Sequence, residues 1–167
     1  MNIMRNHRIT KVVLSAGDSG NELDKAVHLL KIVSEKNPQI IKSGPRRRIP
    51  AFGVKPDMPL GTKVTVRGKE AVKLLKKLLG AIDNQLKKKQ ISENTFSFGI
   101  KEYIEIPGIE YVREIGIKGF NVTVSFERAG FRVARKKIKS GKIGKNQMIS
   151  KEEIIKFMED EFKTHFE

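Results

Sequence analysis

Between residues 120 and 126 the chain alternates without a fault: Phe120, Val122, Val124 and Phe126 are apolar, and Asn121, Thr123 and Ser125 between them are polar. Successive side chains of a β-strand point to opposite faces, so this segment buries one face and leaves the other able to bond a partner. Such a strand fits an antiparallel sheet covered on one side, because strands of parallel sheets are buried on both faces and read as unbroken apolar runs. Phe96, Phe98 and Ile100 repeat the pattern against Ser97, Gly99 and Lys101, and Val64 and Val66 repeat it against Thr65 and Arg67.

The intervening segments supply the helices. Ile9, Val12, Val13 and Leu14 predict a strand ending at Ala16-Gly17, and Asp18-Ser19-Gly20-Asn21 predicts a turn into a helix. Asn21 is placed to accept from the first free N–H groups of that helix, whose Leu23, Ala26, Val27, Leu30 and Val33 recur at spacings of three and four. Asn37-Pro38 must end it, since proline cannot continue a helix and disfavours helical geometry in the residue before. Residues 39–42 fit a strand. Residues 46–61, with Pro50, Pro56, Pro59, Gly53 and Gly61, fit a long exposed loop, and loops of that length are often functional. Gly68 opens what the pattern predicts as the longest helix, with Ala71, Leu75, Leu78, Ile82 and Leu86 on its apolar stripe and most of the lysines at 69, 73, 76, 77, 87, 88 and 89 off it. Residues 107–116 make a connection or a wide hairpin. Ser150-Lys151-Glu152-Glu153 has the spacing of a capping box, followed by Ile154, Met158 and Phe162. The order predicts an α+β fold: a mainly antiparallel sheet with helices packed on one face, as a single domain over 1–167, a length that suits one core.

The charge excess is localised. Of 34 Lys and Arg against 19 Asp and Glu, fourteen lie in two acid-free stretches. Residues 36–56 hold Lys36, Lys42, Arg46, Arg47, Arg48 and Lys55; residues 128–149 hold Arg128, Arg132, Arg135, Lys136, Lys137, Lys139, Lys142 and Lys145. The remainder is nearly balanced, so positive potential is focused where it suits a polyanion, whereas an ordinary solvated face interleaves both signs. No apolar run approaches the roughly 20 residues of a membrane helix, and no secretory leader is evident, which points to a cytoplasmic, non-membrane protein. The absence of cysteine removes disulfides, thiol nucleophiles and thiolate metal sites.

Catalytic patterns are weak. Gly17-Asp18-Ser19-Gly20 matches the tetrapeptide around a protease nucleophile, but a turn before a helix explains it better. That tetrapeptide, Gly116-Ile117-Lys118-Gly119 and Gly141-Lys142-Ile143-Gly144 all match the G-x-x-G of RNA-clamping loops, and only the last lies in a basic tract. His7, His28 and His165 are scattered without metal-ligand spacing, and period two would put Glu102 and Glu105 on opposite faces of a strand. No phosphate-binding loop of the G-x-x-x-x-G-K-[ST] type occurs. No metal, cofactor or enzyme activity is expected. Thr65, Arg67, Asn121, Thr123 and Ser125 form a polar strand face suited to ribose and phosphate, with arginine adding charge and stacking.

Several motifs then occur in fixed order: Phe52-Gly53-Val54, Pro59-Leu60-Gly61, residues 63–68 (KVTVRG), residues 96–102 (FSFGIKE), Ile106-Pro107-Gly108, Glu114-Ile115-Gly116-Ile117 and residues 149–153 (ISKEE). With them the chain resembles, over essentially its whole length, the large-subunit ribosomal protein five family, called protein eleven in eukaryotic naming. Residues 4–11 and the second basic tract resemble its archaeal and eukaryotic branch. The resemblance implies a structural protein of the central protuberance that holds 5S rRNA against the large-subunit rRNA. Partners implied are the P-site tRNA elbow, neighbouring central-protuberance proteins and a small-subunit head protein. Thr65 falls on the family's RNA-contacting strand threonine, and Ser15 replaces a usual asparagine. Lys36-Asn37-Pro38 stands for a usual Gly-Gln-Lys-Pro. The rRNA-binding set expected is Ser15, Lys42, Arg46, Arg47, Lys63, Thr65, Arg67, Arg132, Arg135, Lys136 and Lys137. Residues 48–58 match the tRNA-approaching loop, making Arg48, Phe52 and Lys55 the tRNA-binding set; Phe52 either presents its ring or folds back to close the loop. The rival readings are an RNA-processing or RNA-modifying enzyme, which needs a site the sequence lacks, and a free RNA chaperone.

Overall fold

The alternating segments pair into an antiparallel sheet of six strands in the computed structural model, which describes residues 3–166. In chain order the elements are β1 (His7–Gly17), α1 (Asn21–Ser34), β2 (Gln39–Lys42), β3 (Pro59–Arg67), α2 (Lys69–Gly80), β4 (Gln85–Leu86), β5 (Ile91–Ser92), β6 (Thr95–Ile100), β7 (Phe120–Arg128), α3 (Arg132–Arg135), α4 (Lys151–Phe162) and β8 (His165–Phe166). The sheet order is β2-β3-β1-β7-β6-β5, and β4 and β8 form a separate parallel pair. This is the α+β architecture that the strand and helix patterns predict. The small parallel pair, at two residues per strand, is too short to leave a periodic signal.

The described residues gather into two compact units, 3–12 with 67–98 and 123–166, and 13–66 with 99–122. In the first, alternation has buried Phe96, Phe98 and Phe126, and the half-buried Phe157 of α4 extends their ring contacts. Phe96 stacks on Phe98 and Phe126 at centroid distances of 5.6 and 5.9 Å, and Phe157 meets Phe126 edge-on at 5.7 Å. Offset and edge-to-face pairs of this kind add to the burial of the rings themselves. Leu75, Leu78 and Leu79 of α2 and Ile154 and Met158 of α4 are buried in the same unit. In the second unit Leu14, Leu29, Leu30, Val64, Tyr103 and Val122 are buried. Gly119 is required there by close approach: a Cβ would lie 2.5 Å from the Ile100 carbonyl oxygen and 2.6 Å from that of Lys101.

Three expectations need correction. The residue that caps α1 is Gly20, without a side-chain bond, and Asn21 is already the first helical residue. The second helix is shorter than its apolar stripe suggests, and α1 is longer than α2. After Gly80 the chain turns through Asp83 and Asn84, both at positive φ, and the Asn84 carbonyl accepts from the His165 N–H at 2.8 Å. Ile82 therefore lies in a turn, and Leu86 is buried in β4. Glu102 and Glu105 lie not on a strand but at a 3₁₀ turn over Tyr103–Glu105.

The capping box at α4 forms as its spacing requires: the Glu153 N–H donates to Ser150 Oγ at 3.4 Å, and the Ser150 N–H donates to Glu153 Oε2 at 3.0 Å. Ser150→Ala should lower unfolding free energy by about 1 kcal/mol. Urea titration measures it; unchanged stability would show that the cap contributes nothing.

Candidate nucleic-acid interface

Within the second unit, burial alternates along β1 and β3. Leu14, Ala16, Val64 and Val66 are buried, while Val13, Ser15, Lys63 and Thr65 are half-exposed. Asn121 is exposed next to buried Val122. In the first unit Arg67 is exposed at the end of β3, and Thr123 and Ser125 are half-exposed on β7, with the Thr123 hydroxyl 3.1 Å from that of Ser97. Ser15, Lys63, Thr65 and Arg67 make no side-chain hydrogen bond or ion pair among the described residues. Thr62 shows the contrast: it is buried, and its hydroxyl donates to the Gln39 carbonyl at 3.4 Å. Hydroxyls and cations that the fold leaves unpaired at the surface are free to bond a ligand.

The predicted long loop is a shaped projection. Its neck is closed by Ser43, a buried residue whose N–H donates to the Met58 carbonyl at 2.8 Å. The Ser43 hydroxyl donates to the Lys55 carbonyl at 2.6 Å and accepts from the Met58 N–H at 3.1 Å. Further out, Ile49 and Val54 exchange both backbone bonds at 3.1 Å, and a 3₁₀ turn at Pro50–Phe52 leads to Gly53. Gly53 sits at φ 63°, a left-handed conformation that costs any side-chain-bearing residue about 1 kcal/mol. Val54 is the buried anchor of the tip. Phe52 is 81% exposed, so the reading in which its ring folds back is overturned. The shorter Val54 fills the inside of the turn and Gly53 reverses the chain, which leaves Phe52 outside. Arg46, Arg47 and Arg48 line an open groove of about 690 Å³ with Gly44 and Pro45, and Lys42 and Lys55 are exposed nearby in the chain.

The second basic tract is clamped at both ends. The guanidinium of Arg128 donates to the Asn146 carbonyl at 2.8 Å and to Glu153 at 2.6 Å, and Gln147 Nε2 donates to the Ala129 carbonyl at 2.8 Å. Arg135 at the end of the single helical turn α3 pairs with the buried Glu127 and lies over the Phe131 ring at 5.9 Å. Arg132, Lys136 and Lys137 are exposed and make no ion pair among the described residues. Of the fourteen expected contact residues, Arg135 is thus the one already engaged by a protein carboxylate among the described residues. Acid-free stretches in sequence do not reveal this pairing, because Glu127 lies one residue outside the tract and Glu153 four residues beyond it.

Sequence reasoning missed Ser43, which carries no periodic or motif signal, and Lys118. The Lys118 ammonium, nearly buried, reaches Asp18 and Glu22 at 3.1 Å and the Glu22 carbonyl at 2.7 Å, tying residues 101–119 to the start of α1. Lys25 and then Lys118 hold the exposed Glu22 carboxyl below the ordinary carboxylate range. A group depressed in this way contributes above its unfolded pKa and stops contributing as pH falls through the folded value. No group of three or more His, Asp or Glu able to hold a metal occurs among the described residues. For the loop neck, Ser43→Ala should accelerate amide exchange at Met58 about ten-fold, the loss expected for one or two net hydrogen bonds. Unaltered exchange would show that Ser43 does not close the loop.

Known proteins match this arrangement along almost its whole length. The C-terminal region of the ribosomal L5 protein family matches residues 59–157. The large ribosomal subunit protein uL5 of Nanoarchaeum equitans is 44% identical over 161 residues, covering 95% of this chain and 94% of that protein. Those of Methanobrevibacter smithii and Sulfurisphaera tokodaii are 37% and 39% identical, covering 99% and 97% of this chain and 98% and 93% of theirs. The half-exposed strand hydroxyls, the projecting loop and the basic tract are therefore features of a chain that belongs to the ribosomal L5 family.

Proposed function

We propose that this protein binds 5S rRNA in the central protuberance of the large ribosomal subunit and offers its 48–58 loop to the elbow of the P-site tRNA. Family membership makes it a structural protein of the large subunit, part of the ribosome in the cytoplasm and not an enzyme. The observation that carries the finer reading is the set of strand residues Ser15, Lys63, Thr65 and Arg67, exposed or half-exposed and without protein partners among the described residues. Hydroxyls accept and donate to ribose, and Lys and Arg neutralise phosphate, the division of labour expected when RNA is recognised by shape and backbone. Lys42, Arg46 and Arg47 extend that surface toward the loop, and Arg132, Lys136 and Lys137 supply charge from the second tract. In this reading Arg135 contributes to RNA through the face of its guanidinium that Glu127 leaves open. The protein also lies against large-subunit rRNA and, once the subunits join, reaches a small-subunit head protein.

At the loop, exposure of Phe52 supports a stacking or apolar contact with tRNA, with Lys55 and Arg48 for phosphate. Two variants separate holding 5S rRNA from serving tRNA. Thr65→Ala should weaken 5S rRNA binding by about 1 kcal/mol, the worth of one net hydrogen bond, with the fold intact. Phe52→Ala with Lys55→Ala should leave 5S rRNA affinity and subunit assembly unchanged while P-site tRNA dissociates faster from assembled ribosomes. Unchanged RNA affinity in the first variant removes Thr65 from the interface. Normal tRNA retention in the second makes the loop structural.

A further inference from the structure

The second basic tract holds a large apolar side chain in the open. Ile138 is 78% exposed, with Lys136, Lys137 and Lys139 beside it in the chain and no acid anywhere from 128 to 149. Attraction between lysine and phosphate has no use for an isoleucine, and leaving one in water forgoes the gain of burying it.

The local backbone holds Ile138 there. The Gly141 N–H donates to the Val133 carbonyl at 3.2 Å, closing a tight loop over residues 134–140. A Cβ on Gly141 would lie 3.0 Å from Val133 Cγ1, closer than ordinary contact, whereas one on Gly144 would meet nothing within 4 Å. The G-x-x-G of residues 141–144 is thus explained at its first glycine by packing, not by a phosphate clamp. The chain bends through residues 137–139, and Lys139 sits at φ 55°, a left-handed conformation that side-chain-bearing residues seldom adopt. Ile138 is therefore carried on the turn of a loop whose two arms are fixed, one by the pairing of Arg135 with buried Glu127 and the other by the bond from Gly141. Holding the loop before RNA arrives reduces the ordering cost of binding.

We propose that Ile138 is an apolar wedge: its side chain packs against a base left unstacked at a break in an RNA helix, while Lys136, Lys137 and Lys139 neutralise the phosphates around it. Aliphatic side chains among cations are how nucleic-acid-binding proteins enter a base step, and unstacked bases are the part of RNA that side chains reach. A continuous duplex covers its base faces with one another and offers Ile138 nothing to bury against. The wedge therefore selects RNA for a discontinuity, where the lysines alone select for charge. This inference rests on the reading that the second tract binds RNA, and adds the feature of the RNA that it takes.

Three RNAs test this with the full-length protein: 5S rRNA, a fully paired RNA duplex, and the same duplex with one bulged nucleotide. The unaltered protein should bind the bulged duplex about ten-fold more tightly than the paired one, the scale expected when an isoleucine leaves water. Ile138→Ser, at an exposed position where folding is not at stake, should abolish that preference and weaken 5S rRNA binding by a similar factor. Ile138→Met, which keeps the apolar reach, should retain both. The slope of log K against log salt should be the same in all three proteins, because no phosphate contact changes. Equal binding of the two duplexes by the unaltered protein, a preference that survives Ile138→Ser, 5S rRNA affinity untouched by that substitution, or a loss accompanied by a flatter salt slope would each overturn the wedge. The unaltered protein reads the proposed function separately: 5S rRNA bound no more tightly than the paired duplex overturns that function even where the bulge preference stands.

Discussion

Alternate burial along the strands is the constraint on which the other features depend. Phe96, Phe98, Phe120, Val122, Val124 and Phe126 take one set of positions on β6 and β7 and are buried, which forces Ser97, Asn121, Thr123 and Ser125 to the other set. A shift by one residue would exchange the two sets and expose six large apolar side chains, so the strand register is strongly specified. The same rule on β1 and β3 leaves Ser15, Lys63 and Thr65 half-exposed. The candidate RNA surface needs no separate construction; it is the complement of the core.

Charge is distributed on the same principle of separation. The fourteen basic residues of the acid-free tracts would repel one another in a compact chain, and in the second tract the structure moderates this through Arg128 with Glu153 and Arg135 with Glu127. Arg46, Arg47, Arg48, Lys136 and Lys137 stay exposed and make no ion pair among the described residues. Carboxylates gather elsewhere, on α4 and on residues 101–119.

Much of this was legible in the residues because it was local. Period-two alternation marked β3, β6 and β7, and Ser150 with Glu153 marked the start of α4 through a bond spanning three residues. What was not legible depended on distant partners. Ser43 is indistinguishable from any loop serine until Lys55 and Met58 return to it, and the end of α2 at Gly80 is set by the pairing of β4 with β8 near the end of the chain. Phe52 was open between two orientations because composition cannot say whether Phe52 or Val54 fills the inside of a turn. Glu127, beside the basic tract, reads as an isolated acid until Arg135 folds back onto it.

The central claim is that unpaired cations of the tracts neutralise RNA phosphates, and the salt dependence of 5S rRNA affinity tests it most directly. Each phosphate neutralised releases counterion and adds about 0.7–0.9 to the steepness of log K against log salt. Replacing Lys136, Lys137, Lys139 and Lys142 by glutamine should therefore flatten that slope by about three relative to the unaltered protein, with stability unchanged. An identical slope in the two proteins would contradict the account and leave the tract a solvated face.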